Sequence, residues 1–557
     1  MNLKTIAVIL WLAAIPVSIF AQGSPFGEVM EVRVTNVDVI VTGKGGKPVP
    51  GLKVEDFEIY EDGVKKEITN FLEIHEDATP ALTSTGEPAQ VPASSATREP
   101  EDLRRRQIVI LLDNAAIHPF RRNELLPHIQ TFVRNNVRKG DEVAVFTWAL
   151  SLKPELEPTS DYSAVEATLK RVAEHTTLGG QGKTDFKQFQ DQVMLLIRSY
   201  REAGHTPPWS EAIAMARMYA MSATHQTRQR VESLKIIAAS MRGAPGRKIL
   251  VFVTDNLSTN PSEAAFAFLD SVRELFGSGT QPAMPQARDF EITGLVRDVA
   301  DTANSSGVAI YPIDVGGKDS GTGFADASEM PIATTTPYMV PQTAQITLST
   351  IAAETGGTSL YGSTNWKLAF DTIADDLNTY YSLGYRASGE QKDKLRAITV
   401  KLKTKQRYSV RTRHSVIEPS ASSEMNDAVS AHLFREIAGN DLAVRASAAA
   451  ATPGDGESIT IPVTITIPTE KLTLLPDGTD LTGSFSVFAA FLRKDGAVSK
   501  VARQLQNFRF PADSLKRRKE LTVKIDVKAD SRIDGISVGV MDEASRATGF
   551  ASVKLTE

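Results

Sequence analysis

The chain of 557 residues contains no cysteine. This absence excludes disulfide bonds, thiolate metal sites, a cysteine nucleophile and the acylated cysteine of a lipoprotein anchor. Histidine is also scarce, with 8 residues, and no pair of them has the His-Glu-x-x-His spacing. No local motif therefore indicates a zinc site, and packed cores alone must stabilise the fold.

An excess of positive charge and a hydrolase motif are missing as well. The formal net charge is -5 and the isoelectric point is about 6.0, so the chain lacks the basic character of a general nucleic-acid-binding protein. No Gly-x-Ser-x-Gly elbow is present, and the chain thus lacks the usual nucleophile motif of an α/β hydrolase. We expect no nucleic-acid partner, no enzymatic activity and no catalytic residue.

Long hydrophobic runs are absent after the first residues of the chain. At the start, Lys4 is followed by an apolar stretch, and Pro16 precedes the small residue Ala21. One positive charge before a short apolar run is typical of a secretory signal peptide, and the run is shorter than the ~20 residues needed to span a bilayer. We predict a signal peptide over residues 1–21, cleaved near Ala21, no membrane span, and a mature protein that is periplasmic or secreted.

The residues after this segment divide into a small β unit and a linker. Over residues 28–76, Val37, Val39 and Val41 recur at every second position, and Asp62-Gly63 forms a tight turn after a strand, a pattern typical of antiparallel β structure. Residues 77–104 are mostly Thr, Ser, Pro, Ala and Glu. So few large apolar side chains predict a linker.

Residues 105–415 alternate apolar strands with helical patterns, which predicts a doubly wound, Rossmann-like α/β domain. Two of the strands are uninterrupted apolar runs, QIVILLD at 107–113 and KILVFVTD at 248–255. Such runs suit central strands of a parallel sheet that is buried on both faces. Both end on an aspartate, so Asp113 and Asp255 are expected at the rim formed by the carboxyl ends of the strands, where ligands bind in open sheets.

Two tracts of this domain, 176–206 and 316–342, are rich in Gly, Thr and Pro, and we predict long loops near the strand rim. The first contains GGQGKT at 179–184. A phosphate-binding loop would need a glycine where Thr177 stands and a preceding strand. A solvated glycine-rich loop is therefore the better interpretation.

The final part of the chain predicts a β-sandwich of immunoglobulin-like type over residues 425–557. The segment SITIPVTITI at 458–467 alternates apolar residues with polar residues or proline; 521–527 and 536–540 also alternate, and 484–491 begins in the same way before an apolar run. Short alternating strands separated by turn residues are typical of a sandwich. The fold class expected for the whole chain is thus a central α/β domain between two β modules.

Short blocks recur in a defined order: VEDFEIYEDG at 54–63, KGDEVAVF at 139–146, PGRK at 245–248, VAIYPID at 308–314, ETGG at 354–357 and YYSLGY at 380–385. In this order they resemble the von Willebrand factor A-like family often called VWFA-related acidobacterial proteins. The resemblance covers most of the chain, although Arg413-His414-Ser415 stands where an Arg-Arg-Gly-Tyr-like ending is usual. It implies an exported protein without established enzymatic activity that binds other proteins.

A-type domains commonly bind a divalent cation, and the resemblance therefore suggests candidate ligands. The usual set is Asp-x-Ser-x-Ser after the first strand, a threonine from a later loop and an aspartate after the fourth strand. Here the first motif is DNAAI at 113–117, so alanine and isoleucine replace both serines. Asp113, Thr206 and Asp255 remain as a degenerate set that would hold Mg²⁺ or another divalent cation only weakly.

Each candidate ligand also has a structural interpretation. Thr206 precedes two prolines and could be the N-cap of a helix with proline at its first position. Asp113 and Asp255 could accept backbone N–H bonds at the rim of the sheet. We expect no certain cofactor.

The leading functional hypothesis is an exported, non-enzymatic protein that binds a protein or another extracellular macromolecule. Recognition would use the rim segments 114–120, 176–206, 256–262 and 316–342. The alternatives are a divalent-cation-dependent adhesion-type protein, an assembly scaffold of the cell envelope, and a hydrolase whose site has no recognisable motif. The sequence gives no indication of the oligomeric state.

Overall fold

The structure, a computed structural model, describes most of the chain from residue 34 to residue 555. The predicted signal peptide, its cleavage point and most of the predicted linker and of the tract 316–342 lie outside the described residues. The described ranges are 34–75, 83–84, 105–149, 151–175, 179–206, 208–242, 244, 246–276, 281–316, 339–361, 365–387, 392–404, 406–434, 439–454, 458–494, 498–511, 519–529 and 533–555.

The first module is a β-sandwich made from two distant parts of the chain. In the first sheet β1 pairs with β11 and β13, and β4 pairs with β11 and β5. In the second, β12 pairs with β2 and β14, and β2 also pairs with β3. The strands are β1 (Val34–Thr42), β2 (Phe57–Glu61), β3 (Val64–Lys66), β4 (Ile68–Ile74), β5 (Thr83–Ser84), β11 (Tyr380–Arg386), β12 (Leu395–Leu402), β13 (Ser409–Thr412) and β14 (Ser415–Ile417).

This pairing changes the predicted domain limits. Residues 380–417 form strands with the segment 34–74, so the α/β domain is inserted between two halves of a sandwich and does not extend to residue 415. Val39, Ile59 and Tyr381 share one buried core across the two sheets. Strand pairing between segments so far apart has no local sequence pattern, and β5 lies within the predicted linker.

The inserted domain carries a five-stranded sheet with the order β10-β9-β6-β7-β8. Four strands are parallel, and β8 is an antiparallel edge strand. Its elements are β6 (Arg106–Asp113), α1 (Pro119–Asn136), β7 (Glu142–Trp148), β8 (Leu152–Thr159), α2 (Tyr162–Glu174), α3 (Gln181–Glu202), α4 (Trp209–Ser240), β9 (Arg247–Thr254), α5 (Glu263–Phe276), α6 (Thr293–Ser306), β10 (Val308–Asp314), α7 (Met339–Thr355) and α8 (Trp366–Asn378).

This strand order is that of a doubly wound fold. Counted along the domain, the order is 3-2-1-4-5, so the chain reverses its direction across the sheet at β6. The carboxyl ends of β6 and β9 flank the resulting crevice, the position where open α/β sheets bind ligands. Helices α1, α2 and α8 cover one face of the sheet, and α4, α6 and α7 cover the other.

The tract 176–206 is not a long loop, because residues 181–202 form α3. Phe189, Val193 and Ile197 lie on one face of α3 at helical spacing and are buried. Gly180 has φ 88° and is the residue immediately before the helix, a backbone conformation that glycine accommodates. The glycine-rich segment is therefore the entry to a helix. Helix α7 likewise begins at Met339, inside the second predicted loop.

The C-terminal module is a β-sandwich, as its alternating segments predict. Helix α9 (Ala421–Ala431), which the sequence pattern did not indicate, packs Met425 and Val429 against the outside of the sandwich. The strands are β15 (Arg445–Ala448), β16 (Thr452–Pro453), β17 (Ile459–Pro468), β18 (Leu475–Asp477), β19 (Asp480–Arg493), β20 (Ala502–Pro511), β21 (Glu520–Ala529), β22 (Ile533–Asp542) and β23 (Thr548–Lys554).

The two sheets of this module differ in size. One sheet contains β15 and β16 on one side of β17 and β21 on the other. The second has the order β20-β19-β22-β23, with β18 also pairing with β19. Within the described part of the chain, none of the helices combines the length and the apolar character of a membrane span.

Candidate functional site

The carboxyl ends of β6 and β9 bring Asp113 and Thr254 together. The two strands are parallel neighbours, with Leu112 opposite Val253, so the next pair in register is Asp113 and Thr254. Side chains alternate between the faces of a sheet. Leu111 and Phe252 pack under α4, and the same face of the sheet therefore carries Asp113 and Thr254.

Asp113 is nearly fully buried, with 1% of its surface exposed. Its Oδ1 accepts a hydrogen bond from the backbone N–H of Ala116 at 3.1 Å. Its Oδ2 accepts a hydrogen bond from the hydroxyl of Thr254 at 2.7 Å. A buried carboxylate needs such donors because it has lost its hydration.

The second donor to Oδ2 of Asp113 is a cation from helix α4. Nη1 of Arg230 lies 3.1 Å from this oxygen and forms an ion pair with it. The same nitrogen is 3.3 Å from the carbonyl oxygen of Asn256, just beyond β9, and Nη2 is 3.3 Å from the hydroxyl of Thr227. The Arg230 side chain is 15% exposed, so the pair lies at the boundary between core and solvent.

The two residues that replace the serines of the metal motif pack in or beside the hydrophobic cores. Ile117 is fully buried among α1, α2 and the sheet, while Ala115 packs at the edge of the opposite core. Their side chains carry no oxygen that could bind a cation. The backbone N–H of Ile117 instead closes a turn onto the carbonyl of Asp113 at 2.9 Å.

The other two predicted ligands do not complete a metal site. Helix α4 begins at Trp209 with Pro208 as its N-cap, so the interpretation of Thr206 as the N-cap is wrong, and Thr206 is exposed. Asp255 is buried one residue beyond β9. Thr254 rather than Asp255 makes the contact with Asp113 because the register of the parallel pair places it opposite.

The chemistry of the residues around Asp113 decides whether a divalent cation fits there. Mg²⁺ prefers several oxygen ligands in near-ideal octahedral geometry. In the described part of the chain no three His, Asp or Glu side chains are grouped for a metal ion. A guanidinium already contacts Oδ2 of Asp113, and two like charges cannot share this oxygen at low cost. The residues therefore fit an internal arginine and do not fit Mg²⁺.

Above the rim lies a helical cap, which we define as α3, residues 209–224 of α4, α5 and the 3-10 segment Met284–Phe290. These parts share a core that is separate from both cores of the sheet. The ring of Phe189 stacks on Tyr219 at a centroid distance of 5.4 Å and contacts Phe268 edge-on at 5.9 Å. Burial raises the pKa of Tyr219 to about 12.

Helix α4 joins the cap to the sheet. Its buried stripe is apolar in the cap at Ala216 and Ala220, and apolar again against the sheet at Val231 and Leu234. Between these parts the stripe passes the rim, where it includes buried Thr227. Arg230 lies at this level, and its position one turn from Thr227 accounts for the contact with the Asp113 carboxylate.

The cap exposes large apolar side chains. Met218 and Met221 on α4 are 72% and 65% exposed, and Leu195 on α3 is 70% exposed. Ala214 and His225 are also exposed and continue the same face of α4, since positions 214, 218, 221 and 225 lie on one side of a helix. An exposed apolar stripe of this kind is a candidate contact surface.

Two ion pairs with buried carboxylates lie at the opposite, amino end of the sheet. Arg106 donates from Nε to the buried carboxylate of Asp141 at 3.0 Å. Asp376 of α8 accepts two hydrogen bonds from Arg411 of β13, at 2.8 and 2.6 Å, and a third from the hydroxyl of Tyr311 at 3.1 Å. Burial raises the pKa of Tyr311. This network joins the α/β domain to the first sandwich.

Comparison with known proteins gives no family. No family model matches the chain, and no curated protein matches it. Among solved structures, an aerotolerance-related membrane protein from Bacteroides fragilis is 14% identical and matches over 49% of this chain and 98% of its own, with a TM-score of 0.23.

Two further solved structures match over larger parts of the chain. A von Willebrand factor type A protein from Catenulispora acidiphila is 10% identical over 68% of this chain and 77% of its own, with a TM-score of 0.21. Three N-terminal domains of the type V pili tip protein Mfa5 from Porphyromonas gingivalis are 10% identical over 88% and 87%, with a TM-score of 0.23. These scores are too low to support a conclusion, and the doubly wound character of the central domain follows from its strand order.

Proposed function

We propose that this chain is an exported, non-enzymatic protein that binds a macromolecular partner through the helical cap, and that this binding requires no metal ion. The observation that supports the proposal most directly is the ion pair between Arg230 and Asp113, at 3.1 Å. It supplies an internal positive charge at the rim position where a cation-dependent domain would hold its metal.

The chemistry of the partner follows from the cap surface. Met218 and Met221 present flexible, polarizable side chains that adapt to apolar surfaces, and both are mostly exposed. Leu195 on α3 is another exposed aliphatic side chain of the cap. We therefore propose a protein partner that contributes an apolar patch, rather than a carboxylate that would coordinate a metal.

The test is partner capture by the immobilised full chain from an envelope extract, with and without a chelator. We expect proteins captured by the wild type to remain bound in the chelator and to be lost from the double variant Met218→Glu, Met221→Glu. The matched control is Leu475→Glu, which changes an exposed leucine of β18 in the C-terminal sandwich. Circular dichroism would establish that all variants remain folded.

Two outcomes would contradict the proposal. Loss of the partner in the chelator would favour cation-dependent adhesion. Capture by the cap variant at the wild-type level would place the binding surface elsewhere on the molecule.

A further inference from the structure

The C-terminal sandwich is closed along one side and open along the other. On the closed side β15 contacts β23, and the backbone N–H of Leu442 donates to the carbonyl of Thr548 at 3.2 Å. On the open side lie the two edge strands β20 and β21. A cleft of about 360 Å³ separates them and extends to the inner face of β19.

The floor of this cleft is part of the sandwich core. Val487, Ala489 and Phe491 of β19 line it from one sheet, and Ile525 and Val527 of β21 line it from the other. Val487 is buried, whereas Ala489 and Phe491 are only partly buried although they continue the same inward row. The core is therefore incompletely covered at this end.

The core is least covered beside β21, whose inward side chains are less buried than those of its neighbour β17. On β17, Val463, Ile465 and Ile467 are fully buried. On the adjoining β21, the inward residues Val523 and Ile525 are only partly buried. Because β21 pairs on one side with β17 and the described residues place no strand on its other side, one further strand there would complete the cover.

The facing strand β20 has a small and a polar residue where a closed sandwich would have large apolar ones. Ala502 and Gln504 lie opposite Ala489 and Val487 and line the cleft. Among the described strands β20 pairs with β19 alone. The cleft is thus flanked by two strand edges whose backbone groups can pair with an extended segment.

The charges around the cleft select its occupant. Lys500 and Lys528 line its margin, against one acidic residue, Asp526, whereas the guanidinium of Arg503 is already paired with Glu543 at 3.1 Å. Lys524 lies on the same outer row of β21 as Lys528 and is exposed. A second copy of this chain that paired antiparallel through its own β21 about Asp526 would set Lys524 against Lys528 and Asp526 against Asp526. Like charges on paired strands are destabilising.

We propose that this cleft binds an extended peptide segment of a partner protein by strand addition, and that the segment alternates apolar and acidic residues. The apolar side chains would cover Val523 and Ile525 from the side, and the acidic ones would pair with Lys524 and Lys528. Main-chain hydrogen bonds to a strand edge give affinity, and alternate side chains give selectivity. This site is separate from the helical cap and does not depend on it.

The test uses the full chain and a labelled ten-residue peptide of alternating valine and aspartate, with fluorescence anisotropy as the readout. We expect saturable binding, and no binding of the matched peptide of alternating valine and lysine. The double variant Lys524→Glu, Lys528→Glu should weaken binding by about tenfold, from two opposite-charge pairs turned into like-charge pairs. The matched control, Lys554→Glu on the closed-side strand β23, should bind as the wild type.

A second variant, Ala489→Phe, fills the floor of the cleft and should also reduce binding while the lysines remain. Binding of both peptides alike, or unchanged binding by the lysine variant, would overturn the proposal. So would a dimer in sedimentation that Ala489→Phe dissociates, because a second copy would then occupy the cleft. The cap variant Met218→Glu, Met221→Glu should still bind the peptide, so failure of one proposal leaves the other testable.

Discussion

The two ends of the central sheet both bury aspartates beside arginines, but they do so differently. At the amino end, Asp376 accepts three hydrogen bonds from Arg411 and Tyr311, and its partners belong to two modules. At the carboxyl end, Asp113 also accepts three hydrogen bonds, from Ala116, Thr254 and Arg230, but all three donors belong to the α/β domain. The amino end is a junction between two modules, whereas the carboxyl end is a partly open rim below a cap with exposed apolar residues.

The difference shows that a buried acid at one end of the sheet does not identify a function by itself. A carboxylate whose donors belong to two modules mainly stabilises the arrangement of those modules. At the carboxyl end, the partly exposed Arg230 neutralises the charge of Asp113 within one domain and leaves the nearby surface available. We therefore assign stability to the amino end, and the carboxyl end lies beside the cap for which we propose partner contact.

The largest expected effect is at the amino end. Asp376→Ala removes the acceptor of the network, and breaking a buried ion pair costs about 3–5 kcal/mol. Its neighbour Asp375 pairs with the exposed Lys47 at 3.5 Å, and Asp375→Ala should cost less than about 1 kcal/mol. Denaturant unfolding followed by tryptophan fluorescence measures both, since Trp148, Trp209 and Trp366 all lie in the α/β domain.

Equal losses for these two adjacent substitutions would contradict the assignment of the network to stability. Each variant should also be compared by circular dichroism, so that a change of folded state is not counted as a change in the free energy of unfolding.

A smaller effect is expected at the carboxyl end. Arg230→Ala leaves the Asp113 carboxylate with the hydroxyl of Thr254 and one backbone N–H, so we expect a loss of about 1–3 kcal/mol in the same measurement. Arg228 is exposed on the same helix, and Arg228→Ala should change stability by less than about 0.5 kcal/mol. If the two variants were equally stable, the ion pair of Arg230 would contribute nothing to the rim.

The smallest expected effect concerns an acid whose charged form is disfavoured in the folded protein. Burial raises the pKa of Asp301 on α6, and the nearby Asp298 adds to the shift. A raised pKa in the folded state contributes stability in acid that is lost as the pH rises through that pKa. Asp301→Asn should therefore be slightly more stable than the wild type at neutral pH and similar to it in acid, in thermal unfolding at both conditions. A variant that is less stable at neutral pH would show that the carboxylate is favourably paired.

Much of the scaffold could be predicted from the sequence because its signals are local. The apolar runs at 107–113 and 248–255 became β6 and β9, and the helical patterns expected between the strands became helices such as α1 (Pro119–Asn136). Helix α3 had a local signal as well, since Phe189, Val193 and Ile197 have helical spacing. The glycine-rich entry at residues 179–182 and the polar composition obscured that pattern.

The features that were not predicted depend on contacts between distant positions. Arg230 and Asp113 are 117 residues apart, and no local motif marks an arginine that will reach a strand end. Thr254 was missed because strand register, not sequence, decides whether it or Asp255 faces Asp113. The pairing of residues 34–74 with 380–417 and the side cleft between β20 and β21 depend in the same way on strand neighbours.

The central claim is that Arg230 supplies the cation of the strand rim, so that the protein works without a metal. Calorimetric titration of the full chain with Mn²⁺ up to millimolar concentration tests it most directly, with Asp113→Asn titrated in parallel. We predict no saturable heat for the wild type and the same trace for the variant. A one-site isotherm for the wild type that Asp113→Asn abolishes would contradict the account.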